Sequence, residues 1–93
     1  MASGYTYRSL DFTETFLESL ADPRRFSRVE RSLFLKALRL LDTDERHRSL
    51  RVHQLTADLA GVWSASASDS LRMTFLRSHG GRKTLLTCTH HYE

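Results

Sequence analysis

Four residues in the second half of the chain are of types that can move protons and stabilise negative charge: His53, Arg72, His91 and Tyr92. Histidine suits proton transfer because its pKa lies near neutral pH, and arginine can stabilise the charge of a phosphorane-like transition state. Such a set can cleave RNA without a metal. A base takes the proton of the ribose 2′-hydroxyl, which attacks the adjacent phosphate, and an acid protonates the leaving 5′-oxygen.

Each of these side chains also has a purely structural interpretation. His53 could belong to a surface loop, and Arg72 could form an ion pair with Asp69. His91 could end a strand without any further role, and Tyr92 could be a partly buried packing residue. The residue types alone leave both interpretations open.

Other common chemical sites are not indicated by the sequence. His90 and His91 are adjacent and would point to opposite faces of a strand, and Cys88 has no partner at a zinc-binding spacing. Gly80-Gly81 is an isolated turn and not a phosphate-binding loop. We therefore expect no metal and no cofactor. Because Cys88 is the only cysteine, no internal disulfide can form, which fits a reducing cytoplasm.

The length of 93 residues suits one domain with one core, over residues 1–93, and we expect residues 1–4 to be partly disordered. The formal net charge is +3, and of fourteen basic residues two are Lys and twelve are Arg. This composition permits a polyanionic partner, although Arg usage can equally reflect genomic base composition. The sequence has no long apolar run of the kind that indicates a membrane span.

Hydrophobic periodicity predicts a strand and two helices in the first half of the chain. Alternating aromatic and polar residues predict a strand over Tyr5–Leu10, and a helical period begins near Asp11. Asp22-Pro23 is typical of a helix end followed by a new helix start, and the second helix is predicted over Arg24–Leu41. The apolar stripe of this second helix consists of Phe26, Val29, Leu33, Ala37, Leu40 and Leu41.

The second half predicts three strands, over Leu59–Ser68, Leu71–Leu76 and Lys83–Thr89, with a glycine-containing hairpin turn at Ser78–Arg82. Trp63 is expected in the core, as the large anchor of a strand that is otherwise rich in alanine, and not as a platform on which RNA bases stack. The predicted fold is α+β in the order β-α-α-β-β-β, an antiparallel sheet with two helices packed on one face. The other face would be open, and a ligand would lie there.

The basic residues suggest where a polyanion could bind. The segment 46–53 contains Arg46, Arg48 and Arg51, two histidines and no acid, and Arg82 and Lys83 follow at the hairpin. These five cations are the candidate RNA-binding residues. The basic side chains of the second helix are compatible either with a solvated face or with a docking face for RNA or an acidic partner.

Three segments, in this order, resemble the YoeB-type toxins of the RelE/ParE superfamily. Leu55–Ser64 is similar to their L-x-x-x-L-x-G-x-W-S segment, and Leu71–Phe75 resembles their H/Y-R-L-V-Y strand. Cys88–Tyr92 is similar to their C-x-x-H-Y ending. The resemblance covers most of residues 53–92, whereas the first half matches only in the order of its elements.

The resemblance implies a RelE-like fold, a type II toxin–antitoxin system and ribosome-dependent cleavage of messenger RNA in the cytoplasm. The implied partners are a cognate antitoxin and messenger RNA on the ribosome, with no membrane; a homodimer stays open. By position, Arg72 matches the arginine that stabilises the transition state, His91 the general acid and Tyr92 the tyrosine that orients the RNA. His53 stands where these toxins carry a glutamate base, and we hypothesise that it is the base here.

One departure bears on activity. The family strand after the tryptophan is usually basic, whereas Ser64–Asp69 has no cation. This leaves open whether the nuclease is weakened. Two alternative functions also stay open: a ParE-like toxin that inhibits DNA gyrase, and a protein-binding module with the same fold.

Overall fold

A computed structural model of the chain describes residues 4–56 and 61–91. Two helices precede a meander of three long strands, and short strands flank the sheet. The elements are β1 (Leu10–Phe12), α1 (Glu14–Ala21), α2 (Arg28–Thr43), β2 (His53–Gln54), β3 (Val62–Ser68), β4 (Leu71–Arg77) and β5 (Lys83–His90), with single 3₁₀ turns at Arg48–Leu50 and His79–Gly81. The predicted α+β class and the order of the elements are confirmed, and β2 is an additional short strand.

The five strands form one sheet in the order β1-β5-β4-β3-β2. The meander of β3, β4 and β5 is antiparallel, as predicted, and β2 also pairs antiparallel with β3. The first strand differs from the prediction because β1 runs parallel to β5, so the sheet is mixed. The helices and the other strands separate β1 from β5 in sequence, and this long connection allows parallel pairing, which a tight turn does not.

The first strand also begins later than its sequence pattern suggests. Tyr5 and Tyr7 lie before β1 in an irregular segment, where their rings make an edge contact at 4.8 Å between centroids. This segment is fixed by Asp42 on α2. The Asp42 carboxylate accepts hydrogen bonds from the backbone N–H groups of Arg8 and Ser9, from the Ser9 hydroxyl and from the Tyr5 hydroxyl. Side chain to backbone bonding thus replaces the predicted strand pairing.

Helix α2 begins at Arg28, four residues after the predicted start, because Ser27 forms a capping box with Glu30. The Ser27 hydroxyl accepts from the Glu30 N–H, and the Glu30 carboxylate accepts from the Ser27 N–H. The predicted apolar stripe is wrong at Val29, whose side chain is 69% exposed. The buried residues of α2 are Phe34, Ala37, Leu38 and Leu41.

The core lies between the helices and one face of the sheet. On β4, Leu71, Met73 and Phe75 are buried, as their alternation predicts, and their neighbours face the opposite side. Trp63 is partly buried and packs against this core, with its ring stacked on Phe75 at 6.5 Å between centroids. Trp63 therefore lies at the margin of the core and is not one of its fully buried residues, which corrects the expectation of a core anchor.

Candidate active site

The face of the sheet away from the helices carries a cleft of about 470 Å³. It lies across β2, β3, β4 and the end of β5, and it brings together three of the four predicted catalytic residues. The lining residues are Arg51, His53, Leu55, Ser64, Ser66, Arg72, Thr74, Thr89 and His91. Tyr92, the fourth predicted residue, lies outside the described residues. No acidic side chain lines the cleft among the residues that the structure describes.

His53 is held at the sheet edge in one orientation. Its Nδ1 lies 2.8 Å from the carbonyl oxygen of Arg51. A carbonyl only accepts hydrogen bonds, so Nδ1 carries the hydrogen and the lone pair of the neutral ring is on Nε2. Arg51 adopts a left-handed conformation with φ of 47°, which is unusual for a residue other than glycine and costs free energy. The geometry leaves the ring with a free acceptor nitrogen, which is what a base requires.

Arg72 is fixed by the turn between β3 and β4. Its Nη1 donates to the carbonyl oxygens of Ser68, Asp69 and Leu71, at 2.6, 3.1 and 3.1 Å. The sequence left open an ion pair between Arg72 and the Asp69 carboxylate, but that carboxylate lies 3.6 Å from Arg51 instead. The partners of Arg72 are therefore neutral carbonyls, which position the guanidinium without cancelling its charge.

His90 and His91 lie on opposite sides of the sheet, as their adjacency predicts. His90 Nε2 is 2.9 Å from a Glu30 carboxylate oxygen, and its ring contacts Phe26 on the helix side. His91 is exposed and lines the cleft, and its backbone N–H donates to the Ser70 carbonyl. Only His91 can therefore meet a ligand in the cleft.

A β-bulge decides which of these two histidines faces the cleft. Thr74 pairs with Thr87, whereas the next residue, Phe75, pairs with Leu85, so Leu86 is an extra residue in β5. Without it, strict alternation along the hairpin would place His90 on the face of Arg72 and His91 on the other. The bulge therefore aligns Arg72 and His91 on one face.

Hydroxyl groups form the floor of the cleft between the histidines. Ser64 pairs with Thr74, and Ser66 pairs with Arg72, so these side chains share the open face. The Thr74 and Thr87 hydroxyls are hydrogen-bonded at 2.6 Å. This floor of hydroxyl groups is not among the sites predicted from the sequence. The alternation of Ser64 and Ser66 with alanines was the available signal.

The predicted RNA-binding residues fall into two groups. Arg46, Arg48 and Arg51 lie in the segment after α2 and line a second cavity, and of the three only Arg51 also lines the cleft. Arg82 is at the far end of the β4–β5 hairpin, where Asp11 binds it through two bonds of 2.8 and 2.7 Å. The structure does not bring Arg82 to the cleft, and this ion pair raises the pKa of Arg82 and lowers that of Asp11.

Lys83 corrects the sequence prediction. Lys83 is only 4% exposed, and its ammonium group lies 3.3 Å from the Ser9 hydroxyl and 3.6 Å from the Glu45 carboxylate. A buried lysine engaged in this way cannot contact RNA. These contacts offset the free-energy cost of burying its ammonium group.

Two further findings concern the described part of the chain. No group of three or more His, Cys, Asp or Glu residues there is close enough to hold a metal ion. None of its helices combines the length and apolar character required to span a membrane.

No known protein-family model matches the sequence, and no curated protein matches it. Solved structures do match. The YoeB/ParE toxin from Agrobacterium tumefaciens is 20% identical, with a TM-score of 0.68 over 91% of this chain and 100% of that chain. The RelBE2 toxin–antitoxin complex from Mycobacterium tuberculosis contains a chain that is 18% identical, with a TM-score of 0.69 over 98% of both chains. The YoeB–YefM complex from Staphylococcus aureus gives 14% identity and a TM-score of 0.68, over 89% of this chain and 95% of the other.

These likenesses define the class of fold. The chain has the fold of the RelE/ParE superfamily of toxins, and YoeB-type toxins are among the structures most similar to it. The resemblance drawn from the three sequence segments is thereby confirmed at the level of the fold.

Proposed function

We propose that the chain is the toxin of a type II toxin–antitoxin system and cleaves messenger RNA on the ribosome by acid–base transesterification. The observation that carries this proposal is the convergence of His53, Arg72 and His91 in one open, acid-free cleft. These residues lie far apart in the sequence; the resemblance to YoeB-type toxins assigns roles to Arg72 and His91 by position, whereas His53 stands where those toxins carry a glutamate.

His53 is the proposed base. Its Nε2 accepts the proton of a ribose 2′-hydroxyl, and the 2′-oxygen then attacks the adjacent phosphorus. The bond from Nδ1 to the Arg51 carbonyl supports this role because it fixes the reactive tautomer and becomes stronger when the ring is protonated. The glutamate of YoeB-type toxins is thus replaced by a neutral base.

Arg72 is the proposed stabiliser of the transition state. The pentacoordinate phosphorus carries additional negative charge on its non-bridging oxygens, and a guanidinium already held in place can bind them without reorganisation. Three carbonyl partners supply that preorganisation. All three accept from the same atom of Arg72, Nη1.

His91 is the proposed acid. It donates a proton to the leaving 5′-oxygen as the bond from phosphorus to that oxygen breaks, which yields a 2′,3′-cyclic phosphate and a free 5′-hydroxyl. Tyr92 is proposed, from the sequence resemblance alone, to orient the RNA. The required chemistry is carried by side chains and calls for no cofactor.

The partners are proposed on the same basis. Two of the matching structures are toxin–antitoxin complexes. We extend this to the chain and assign it a cognate protein antitoxin. Ribosome dependence follows from the resemblance to YoeB-type toxins, and the excess of Arg over Lys suits a surface that contacts RNA phosphates.

Cell-free translation tests the proposal directly. Purified protein would be added to a translation reaction, and messenger ends would be mapped by primer extension. The comparison variant is Arg72→Ala/His91→Ala, and the matched control is His79→Ala, in the exposed β4–β5 turn. New ends at ribosome-occupied codons that persist in the control and vanish in the double variant support the proposal. Intact messenger with the wild-type protein would overturn it, and a DNA supercoiling assay would then test the gyrase alternative.

A further inference from the structure

A second cavity, of about 590 Å³, lies around the edge of the sheet from the cleft. It is bounded by the loop that follows α2, by the start of β3 and by the end of β4. The lining residues are Glu45, Arg46, His47, Arg48, Arg51, Val52, Trp63 and Arg77. We call this cavity the edge pocket. Trp63 lines it, while the next residue, Ser64, lines the cleft, so the two cavities lie on opposite faces of β3.

Arg51 connects the edge pocket to the cleft. It lines both cavities, and together with Arg48 and Asp69 it lines a third cavity at the β3–β4 turn. The edge strand β2 is only two residues long, so it is a narrow barrier between the two faces. A polyanionic chain that leaves the cleft at this edge meets Arg51 and then the other arginines of the edge pocket, with Asp69 as the acidic neighbour of Arg51.

The charge of the edge pocket is strongly positive. Four arginines line it, and Glu45 is its one acidic residue among those described. Glu45 is already engaged, because its carboxylate binds the Arg77 guanidinium at 2.6 Å and lies 3.6 Å from the buried Lys83. The Arg77 hydrogen bond and the charges of Lys83 and Arg77 keep the pKa of Glu45 low, against the effect of burial. The charges of Arg46 and Arg48 are therefore left for an anionic ligand.

The pocket also contains a stacked set of planar groups. Phe75 stacks on Trp63, and the Arg77 guanidinium lies over the Trp63 ring at 4.2 Å from its centroid. The ion pair with Glu45 holds Arg77 in this position. A guanidinium fixed on an aromatic ring offers a planar surface on which a nucleobase can stack.

His47 adds a hydrogen-bond donor of defined orientation. Its Nδ1 accepts from the backbone N–H of Ser49 at 3.2 Å and lies 2.7 Å from the Ser49 hydroxyl, and with both groups donating to Nδ1 the neutral ring carries its hydrogen on Nε2. This is the opposite tautomer to that of His53. His47 can therefore donate to a phosphate or a base carbonyl, whereas His53 accepts.

We propose that the edge pocket binds a nucleotide of the substrate RNA strand outside the cleaved linkage. Arg46 and Arg48 bind its phosphates, the Arg77–Trp63 pair stacks with its base, and Arg51 spans the path from the cleft. This inference rests on the proposed function, because it takes the ligand of the cleft to be RNA. Base stacking distinguishes RNA from an acidic protein segment, which would use the arginines but not the planar surface.

Trp63 makes the proposal measurable, because it is the only tryptophan of the chain and it lines the edge pocket. Its fluorescence would be recorded while two single-stranded oligonucleotides are added separately. Both would contain 2′-deoxyribose throughout, which prevents transesterification. One, of about three nucleotides, occupies the cleft alone; the other, of about eight, also reaches the edge pocket. Fluorescence anisotropy of labelled oligonucleotides would give the affinities.

Three variants separate the possible causes. Arg46→Ala/Arg48→Ala changes the edge pocket, Arg72→Ala changes the cleft, and Arg24→Ala/Arg28→Ala removes two exposed cations at the opposite end of α2. We expect the long oligonucleotide to change Trp63 fluorescence and the short one not to. The edge-pocket variant should bind the long oligonucleotide about tenfold more weakly at low salt. Its slope of log affinity against log salt should fall by about 1.4, the value for two lost phosphate contacts to a single strand. The control variant should be close to wild type.

Each other result overturns the inference in a recognisable way. If Arg72→Ala weakens binding but the edge-pocket variant does not, the proposed function stands and the edge pocket is not a subsite. If the edge-pocket variant loses affinity equally for both lengths, the pocket binds a separate RNA and not the continuation of the substrate. If an Asp/Glu-rich peptide changes Trp63 fluorescence and the long oligonucleotide does not, the ligand is an acidic protein. If the wild-type protein binds neither oligonucleotide, the edge pocket is not a subsite for single strands, and the translation assay decides the proposed function separately.

Discussion

The carbonyl oxygen of Arg51 lies 2.8 Å from the Nδ1 atom of His53, two residues further along the chain. Arg51 also holds a left-handed conformation, with φ of 47°. The Arg51 carbonyl orients the His53 ring and selects its tautomer, and it belongs to a residue whose backbone conformation is strained. The strain and the tautomer together favour a chemical role for His53 over that of a surface loop residue.

We expect His53→Ala to reduce messenger cleavage by about 10²- to 10⁴-fold, the range for loss of a general base. Since the His53 side chain is exposed, the free energy of unfolding should change by less than about 0.5 kcal/mol. Primer extension would measure the first quantity and thermal unfolding the second. His79→Ala serves as the control for loss of an exposed histidine. Undiminished cleavage by His53→Ala would exclude His53 as the base.

Arg72→Lys tests whether geometry matters in addition to charge. Lysine retains the positive charge but cannot reproduce the planar group that three carbonyl oxygens hold in place. We expect cleavage to fall by about 10- to 100-fold with Arg72→Lys and by about 10²- to 10³-fold with Arg72→Ala. Cleavage rates under single-turnover conditions would rank the three proteins. Wild-type activity in the lysine variant would show that a nearby charge is sufficient.

The two adjacent histidines should give opposite results. His90→Ala removes the bond to Glu30 and the ring contact with Phe26, so it should lower the free energy of unfolding by about 1–2 kcal/mol and leave cleavage unchanged. His91→Ala should abolish most cleavage with little effect on stability, because His91 is exposed. Urea unfolding and messenger cleavage would be measured on both variants. Loss of cleavage in His90→Ala at full stability would contradict the assignment.

The sequence predicts the strands of the meander better than their exact register. Alternation identified the buried face of β4, and glycines at φ of 71° and 75° marked the hairpin turn. The bulge at Leu86 is harder to predict, because it depends on how two strands fit together. In β5 the bulge interrupts the alternation of buried and less buried residues, because Leu85 and Cys88 are both buried although they are three positions apart.

The first half shows why local patterns can mislead. Tyr5 and Tyr7 alternate with polar residues as a strand would, yet they pack next to Asp42, more than thirty residues away. The basic residues show the same limitation of local patterns. Lys83 and Arg46 are both cations in the sequence, but tertiary packing buries Lys83 and leaves Arg46 exposed. Composition predicts which residues can bind RNA, and only the fold decides which of them can reach it.

Asp42 gives a prediction for pH-dependent stability. Burial raises the pKa of its carboxyl, but the hydrogen bonds from Arg8, Ser9 and Tyr5 outweigh this and bring the pKa to about 2. The Asp42 carboxylate therefore binds a proton more tightly in the unfolded chain than in the folded chain. The carboxylate therefore contributes its full stability above about pH 4, and this contribution is lost as the pH falls toward 2.

Asp42→Asn should therefore lower the free energy of unfolding by about 1–2 kcal/mol at neutral pH, because the amide cannot accept all four bonds as strongly. The difference between the variant and the wild type should shrink as the pH is lowered from 4 toward 2. Thermal unfolding across this range would measure it. Asp69→Asn is the matched control, because the Asp69 side chain is 97% exposed and should show no such change. A difference for Asp42→Asn that stays constant with pH would mean that the carboxylate charge does not anchor the amino-terminal segment.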